Sequence, residues 1–335
     1  MNTNLDFPLY EYDSRHKKAR DLMAEEGLDA LFVTERYNRL YLSGFQTQLV
    51  EMSNYDTPFF VIIPADGEPV LVGVDYTEDV LNRDSCIKDI RTYERWMAIR
   101  DTIKILHDMG LDRSKIGAEL GFGQRLGISY NYFEKLKKGL PKAEFLDASD
   151  VFWKLRLIKS KTEIEYLRKA GEITSKAYEK FFPMLKVGTT EKEMTVLMAS
   201  CMRDEGANAW RIQPDYRWPH ISPGGIWLDE PTDRALRSGD ILWMDASVSY
   251  KGYRSDFSRL GAVPPAPSQK QKRAHELIWK YTHKCIERIK PGVRASEPYK
   301  WSEEYRKSKF PDLKSGHTGQ DGHSLGLTVM EPPFI

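Results

Sequence analysis

Apolar residues recur at helical spacing along several stretches of the chain. The clearest case is residues 161–185, where one apolar stripe is formed by Ile164, Leu167, Ala170 and Ile173. This spacing predicts a long amphipathic helix. Further helices are predicted over residues 14–27, 97–109, 128–138, 191–206 and 269–289. Several of them end at a glycine or just before a proline, the residues that commonly stop helices.

Short runs rich in β-branched and aromatic residues lie between the helices predicted in the first part of the chain. Phe59–Pro64 and Pro69–Val74 flank an Ala-Asp-Gly-Glu turn, which indicates a β-hairpin. Leu28–Thr34 and Lys115–Leu120 are predicted as further strands. Because 335 residues are long for one hydrophobic core, we expect an α/β domain over residues 1–150 and a second domain over residues 151–335.

Charge and composition are those of an ordinary globular enzyme. The 50 Lys and Arg residues against 49 Asp and Glu give a net charge of +1, so we expect neither a nucleic-acid nor a membrane partner. No apolar run approaches the roughly 18 residues of a membrane span, and the N-terminus lacks the apolar core of a signal peptide. The three cysteines are scattered, have no metal-type spacing and cannot all form disulfides, so we expect a cytoplasmic protein; they are Cys86, Cys201 and Cys285.

Two aspartates, Asp245 and Asp256, lie eleven residues apart in a segment that is predicted to be a hairpin. Residues 241–249 and 253–260 form its strands, and Lys251 and Gly252 lie in the turn. With the turn centred between residues 250 and 251, the two carboxylates would face each other directly, with Cβ atoms roughly 4.5–5.5 Å apart. Such a pair needs a proton or a cation between its members, and a two-metal site fits it. The alternative is two hairpin carboxylates that face solvent.

Histidines stand near the end of the chain in a glycine-rich stretch, at His317 and His323. Alternating apolar residues predict a strand directly after His323; they are Leu325, Leu327 and Val329. A histidine at the start of a strand can present a ring nitrogen to a metal that carboxylates hold. The alternative is a histidine in a turn at the surface.

The aspartate hairpin followed by a G-H-x-x-G-L segment at residues 322–327 resembles the prolidase, aminopeptidase P, methionine aminopeptidase and creatinase superfamily. Three further segments of the chain resemble segments of the two-domain members of this superfamily; they are Arg15–Phe45, Leu155–Ile173 and Ile289–Glu297. The resemblance implies an α/β (α+β) fold with a creatinase-like N-terminal domain and a pita-bread catalytic domain. It also implies two divalent ions (Mn, Fe, Co or Zn), for which the matching ligands are Asp245, Asp256 and His323.

The chain departs from the superfamily pattern in its ligand set. The superfamily site has five protein ligands, and the last two are glutamates that follow the histidine motif. Neither glutamate occurs before Ile335, so we expect a catalytic domain that is incomplete at its C-terminus and a further segment that carries them.

A second departure concerns two histidines that proline-specific members place near the substrate. Met330 stands at the position of one of them, although Glu331 and Pro333 of the same motif remain. The other falls on Leu228 or in a local deletion. Their replacement removes hydrogen-bond donors and proton carriers, which weighs against hydrolysis of Xaa-Pro dipeptides and leaves the metal pair intact.

The substrate pocket is expected in the segment Trp210–Trp227, which is rich in aromatic residues and arginine. Arg211 or Arg217 could hold a substrate carboxylate in a bidentate contact. Tyr216 and Trp218 could form an apolar or cation-binding wall. The candidate substrate-binding residues are therefore Arg211, Tyr216, Trp218, His220 and Met330. The alternative is that the aromatic residues pack a loop between strands.

The resemblance implies a dinuclear metal-dependent hydrolase of the Xaa-Pro peptidase type. It would cleave a C–N bond in a short peptide or small amide with a water that bridges the metals, with His220 and His317 as candidate catalytic residues. A homodimer is expected, as in many two-domain members. Two alternatives remain: a metal-dependent lyase acting on a small zwitterion, like the dimethylsulfoniopropionate lyases, or a binding protein that has lost catalysis.

Overall fold

The structure, a computed structural model, describes residues 4–47, 57–207, 217–222, 230–309 and 322–335. Within 217–222, the description covers only the backbone of Arg217, Trp218, His220 and Ser222. The chain divides into two compact units, Met1–Ile158 and Lys159–Ile335.

The described strands of the first unit form one six-stranded mixed sheet in the order β4-β3-β2-β1-β5-β6. They are β1 (Ala30–Val33), β2 (Phe60–Pro64), β3 (Val70–Val74), β4 (Asp89–Tyr93), β5 (Lys115–Ala118) and β6 (Glu144–Asp147). Strand β2 is antiparallel to both of its neighbours, so the predicted hairpin is confirmed. The strands β1, β2 and β3 are buried along their whole length, as expected for the centre of a sheet that is covered on both faces.

Helices alternate with these strands, as the sequence predicts for an α/β domain. They are α1 (Leu9–Glu26), α2 (Arg36–Ser43), α3 (Glu78–Asp84), α4 (Ala98–Asp108), α5 (Tyr130–Gly139) and α6 (Ser149–Leu157). Helix α1 begins five residues before the predicted start and ends at Gly27, whose φ of 66° suits a left-handed helix cap. The first unit ends after α6, which contains Asp150.

The second unit contains the hairpin with the two aspartates. Its described helices are α7 (Lys161–Met184), α8 (Glu191–Asp204), α9 (Gln269–Arg288) and α10 (Ser296–Lys309). Its described strands are β7 (Arg217–Ser222), β8 (Ile241–Ala246), β9 (Ser249–Tyr250), β10 (Tyr253–Arg254), β11 (Phe257–Ala262), β12 (His323–Ser324) and β13 (Glu331–Phe334). Strand β8 lies between β11 and β7 in an antiparallel sheet. No helix in the described ranges is both long enough and apolar enough to cross a bilayer.

One face of this sheet packs on α7 and α8. Leu242, Met244 and Ala246 of β8 are buried in a core with residues of both helices. The alternate positions of β8 are only partly buried, and Asp245 is one of them. The alternation of the strand therefore separates a structural face from a face that can carry chemistry.

The predicted apolar stripe of α7 is wrong at its first position. Ile164 is 44% exposed, whereas its neighbour Glu163 is buried. Glu163 completes a capping box with Ser160, and one of its carboxylate oxygens accepts a hydrogen bond of 2.7 Å from the Tyr253 hydroxyl. The carboxylate can be buried because both of its oxygens have donors.

The prediction of a strand directly after His323 is also wrong, because residues 326–330 bend instead of extending. The Glu331 carboxylate accepts a hydrogen bond of 3.1 Å from the backbone N–H of Thr328 and lies 3.1 Å from Lys159 Nζ. These contacts close the segment into a compact turn in front of β13. The alternation of Leu325, Leu327 and Val329 is therefore not a sign of strand pairing.

Candidate metal site

The hairpin that carries Asp245 turns through Lys251 and Gly252. Tyr250 pairs with Tyr253, so the turn consists only of Lys251 and Gly252. Their φ angles, 50° and 88°, are both positive, as in the two-residue turns that suit tight hairpins. The turn is thus centred between residues 251 and 252, one position later than predicted.

This shift changes the partner of Asp245. Ser258 of β11 lies opposite Asp245, so the prediction that Asp256 faces Asp245 directly is wrong. Asp256 is instead the diagonal neighbour, two residues from Ser258, at a typical diagonal separation of roughly 7–8 Å. The two carboxylates still act on each other electrostatically.

The backbone is irregular just before Asp256, because strand pairing is interrupted between the end of β10 and the start of β11. The backbone N–H of Ser255 donates to the Val248 carbonyl at 3.1 Å. The backbone N–H of Val248 donates in return to Ser255 Oγ at 3.0 Å. This pair of bonds fixes the bend from which Asp256 projects.

His323 is in direct contact with Asp256. Its Nε2 lies 3.2 Å from Asp256 Oδ2, and this hydrogen bond is the main reason why the pKa of His323 is raised above its ordinary value. Its Nδ1 lies 3.1 Å from the Ser324 carbonyl. If Nδ1–H donates to that carbonyl, Nε2 either carries a second proton, which binds Asp256, or keeps a lone pair that a metal can take.

Asp245 completes the group of charges. The pKa of its carboxyl is raised to about 6, mainly by burial and then by the negative charge of Asp256. The positive charge of His323 acts in the opposite direction. A half-buried carboxylate beside a second carboxylate is an arrangement that a cation would stabilise.

The donor set fits a divalent transition metal by its chemistry. Two carboxylates and an imidazole suit Mn, Fe, Co and Zn, and the ions bind when these groups are deprotonated. As placed, no three His, Cys, Asp or Glu side chains of the described ranges surround a common ion position. Asp256 and His323 are in contact with each other instead, with 3.2 Å between Oδ2 and Nε2.

The other predicted site residues are placed less completely. Met330 lies directly before β13 and is 49% exposed. The backbone of Trp218 in β7 lies opposite Asp245, and that of His220 lies opposite Trp243. The remaining candidates lie outside the described residues; they are Arg211, Tyr216 and His317, together with Leu228.

Two residues of α7 that the sequence analysis missed hold the hairpin from its buried side. The hydroxyl of Tyr178 lies 2.8 Å from the Met244 carbonyl and 2.9 Å from the Phe257 carbonyl. Thr174 Oγ1 lies 2.6 Å from Ser255 Oγ. The sequence signal that could have identified Tyr178 is a tyrosine on the buried face of a predicted helix, because a buried hydroxyl nearly always has a hydrogen-bond partner.

Comparison with known proteins agrees with the fold and the motifs. The profile of metallopeptidase family M24 matches residues 165–335, just over half of the chain, and that of the Creatinase/Prolidase N-terminal domain matches residues 15–158. An uncharacterized peptidase of Bacillus subtilis is 26% identical over 324 residues, which are 95% of this chain and 84% of that protein.

An Xaa-Pro dipeptidase of Pyrococcus furiosus is 25% identical over 323 residues, which are 96% of this chain and 84% of that protein. Among solved structures, a prolidase from Thermococcus sibiricus superposes with a TM-score of 0.82 at 21% identity, over 96% of this chain and 84% of that one. The superfamily and the two-domain α/β fold expected from the motifs are therefore confirmed. The chain belongs to metallopeptidase family M24, with a creatinase/prolidase-type domain at its N-terminus.

Proposed function

We propose that the protein is a dinuclear metal-dependent hydrolase that cleaves a C–N bond in a short peptide or small amide. The observation that carries this proposal is the contact of 3.2 Å between His323 Nε2 and Asp256 Oδ2, with Asp245 as their charged neighbour. These residues come from the hairpin and from β12, which are distant in sequence. Their convergence has no evident role in the hydrophobic core.

All three residues are metal ligands in this proposal. Asp245 and Asp256 supply carboxylate oxygens, and His323 supplies Nε2 while its Nδ1–H is held by the Ser324 carbonyl. Two divalent ions, when bound, lower the pKa of water toward neutrality and stabilise the anionic intermediate of amide hydrolysis. Asp245, whose carboxyl has a pKa of about 6, must lose its proton to act as a ligand.

The relatives favour a peptide as the substrate, since the Pyrococcus furiosus relative is an Xaa-Pro dipeptidase. The exposed thioether of Met330 can neither donate a hydrogen bond nor carry a proton. We therefore propose that the site accepts a short peptide or amide without a strict requirement for proline.

A substrate screen tests this proposal. The protein is loaded with Mn²⁺ or Zn²⁺ and incubated in ¹⁸O-water with Xaa-Pro dipeptides, other dipeptides and small amides. Hydrolysis places ¹⁸O in the carboxylate of the product, as mass spectrometry would detect. The Asp256→Asn variant, which keeps the size of the side chain but removes its charge, should be inactive. Cleavage that is equally fast in this variant would contradict the proposal.

A second candidate is a metal-dependent lyase that acts on a small zwitterion. The observation that favours it is the register of β7, in which the backbone of Trp218 lies opposite that of Asp245, one of the proposed metal ligands. Elimination yields an alkene and a leaving group without ¹⁸O in either product. The same screen, extended to small sulfonium and ammonium carboxylates, therefore separates the two reactions.

A further inference from the structure

We propose that Thr174 and Tyr178 of α7 are positioning residues for the metal ligands; we call this pair the helix clamp. The proposal rests on the proposed function, because it assigns the helix clamp a role in metal affinity. Thr174 and Tyr178 are one helical turn apart, so their side chains emerge on the same face of α7. Both side chains contact the segment that carries Asp256: Tyr178 binds the Phe257 carbonyl, and Thr174 binds the Ser255 hydroxyl.

Tyr178 joins the two strands of the hairpin. Its single hydroxyl proton is shared between the Met244 and Phe257 carbonyls, at 2.8 Å and 2.9 Å. Met244 directly precedes Asp245, and Phe257 directly follows Asp256. One hydroxyl therefore fixes the distance between the two strands at the residues adjacent to both aspartates.

Thr174 holds the other side of Asp256 through Ser255. Thr174 Oγ1 donates to the Ala170 carbonyl at 3.0 Å, so the proton in its contact of 2.6 Å with Ser255 comes from the serine. The Ser255 hydroxyl in turn accepts from the Val248 backbone N–H. Every donor in this chain of hydrogen bonds has one acceptor, so the Ser255 hydroxyl has a single hydrogen-bonding arrangement.

The helix clamp thus holds Ser255 and Phe257, the residues that flank Asp256, from the buried face of the sheet. The carboxylate itself points to the opposite face, where it meets His323. Groups that orient metal ligands typically change metal affinity by 10–100-fold when they are removed. Loss of either hydroxyl should let the hairpin shift and should weaken metal binding, although every metal ligand is still present.

The test measures Mn²⁺ affinity by isothermal titration calorimetry and by the electron paramagnetic resonance of free Mn²⁺. Tyr178→Phe removes only the hydroxyl, because the ring can keep its contacts with Phe182 and Phe257, at 5.9 Å and 5.7 Å between centroids. Thr174→Val is the matching change at the second position. We expect each variant to bind Mn²⁺ about 10-fold or more weakly than the unmodified protein.

The matched control is Tyr93→Phe in the first unit. Tyr93 is also a buried tyrosine whose hydroxyl donates to a backbone carbonyl, that of Pro58 at 2.9 Å. The Tyr93→Phe variant should be less stable than the unmodified protein and should bind Mn²⁺ with the same affinity. Unchanged affinity in both clamp variants, or an equal loss in the control, would overturn the proposal.

The two proposals fail in different ways. If the unmodified protein binds no Mn²⁺, the proposed metal-dependent function is wrong, and the role of the helix clamp in metal affinity is lost with it. If the unmodified protein binds Mn²⁺ and both clamp variants bind it equally well, only the helix clamp is wrong. Thr174→Val decides the matter if Tyr178→Phe does not fold.

Discussion

At the scale of single residues, burial and neighbouring charge decide which carboxyl groups can take part in chemistry. Asp245 has a carboxyl whose pKa is raised to about 6, mainly by burial and then by Asp256. Its neighbours on the same strand, Met244 and Ala246, are buried in the core. A carboxylate would be costly to keep in this position without a cation, and that cost is the physical reason for expecting one there.

Glu119 shows a different outcome of burial, in the first unit. It is 1% exposed and follows β5. Its oxygens accept hydrogen bonds from the Thr34 backbone N–H, the Thr34 hydroxyl and the Glu35 backbone N–H, at 3.0, 2.9 and 3.2 Å. Burial nevertheless raises the pKa of Glu119 to about 7.

This shift predicts a pH dependence of stability. Because the folded pKa of Glu119 is about 7 and the ordinary value is 4.5, the folded state holds the proton more tightly between these values. The contribution of Glu119 to the free energy of unfolding should therefore be greatest below pH 4.5 and decrease as the pH rises to 7. Urea unfolding of the unmodified protein and of Glu119→Gln, across this range, measures the difference.

In Glu119→Gln the new amide group faces backbone donors, so we expect a loss of about 1–3 kcal/mol together with the loss of this pH dependence. A difference between the two proteins that stays constant from pH 4.5 to 7 would contradict the assigned pKa.

At the scale of secondary-structure elements, the register of the hairpin depends on two backbone angles. Lys251 and Gly252 have positive φ, which costs little for glycine and more for any residue with a Cβ atom. We predict that Gly252→Ala destabilises the protein by about 1 kcal/mol or more. Gly171 in α7 is the matched control, since a Cβ atom there meets no atom within 4 Å.

Gly171→Ala should stabilise the protein by about 0.5–1 kcal/mol, because alanine is the better helix former. Urea unfolding of both variants measures the two opposite signs. A Gly252→Ala variant as stable as the unmodified protein would mean that the turn does not lie at Lys251 and Gly252.

Most elements could be predicted from the sequence because their signals are local. The capping box of Thr190 and Glu193, for example, correctly predicts the start of α8. The register of the hairpin could not, since a lysine with positive φ has no clear sequence signal. The bend after His323 could not either, because it depends on the contact between Glu331 and the distant Lys159.

The candidate site was predictable to a similar extent. Asp245, Asp256 and His323 could be singled out as candidates because they lie in segments that resemble motifs of the superfamily, and their role as ligands stays a prediction. Tyr178 could not be found in this way, since the carbonyls that it binds lie 66 and 79 residues further along the chain. Contacts between residues so far apart in the sequence can be identified only when the fold is known.

At the scale of the whole molecule, the homodimer expected from the superfamily remains a prediction. Sedimentation velocity at micromolar concentration should give twice the mass of one chain. A species with the mass of a single chain at every concentration would contradict it. This measurement is independent of metal binding and can be made on the metal-free protein.

The central claim is that Asp245, Asp256 and His323 belong to a dinuclear metal site, and metal content tests it most directly. The protein, expressed from its complete reading frame, is incubated with Mn²⁺ or Zn²⁺, freed of unbound metal and submitted to elemental analysis. We predict about two equivalents per chain, and a loss of bound metal in the Asp256→Ala variant. No bound metal after either incubation, or an unchanged metal content in Asp256→Ala, would contradict the claim.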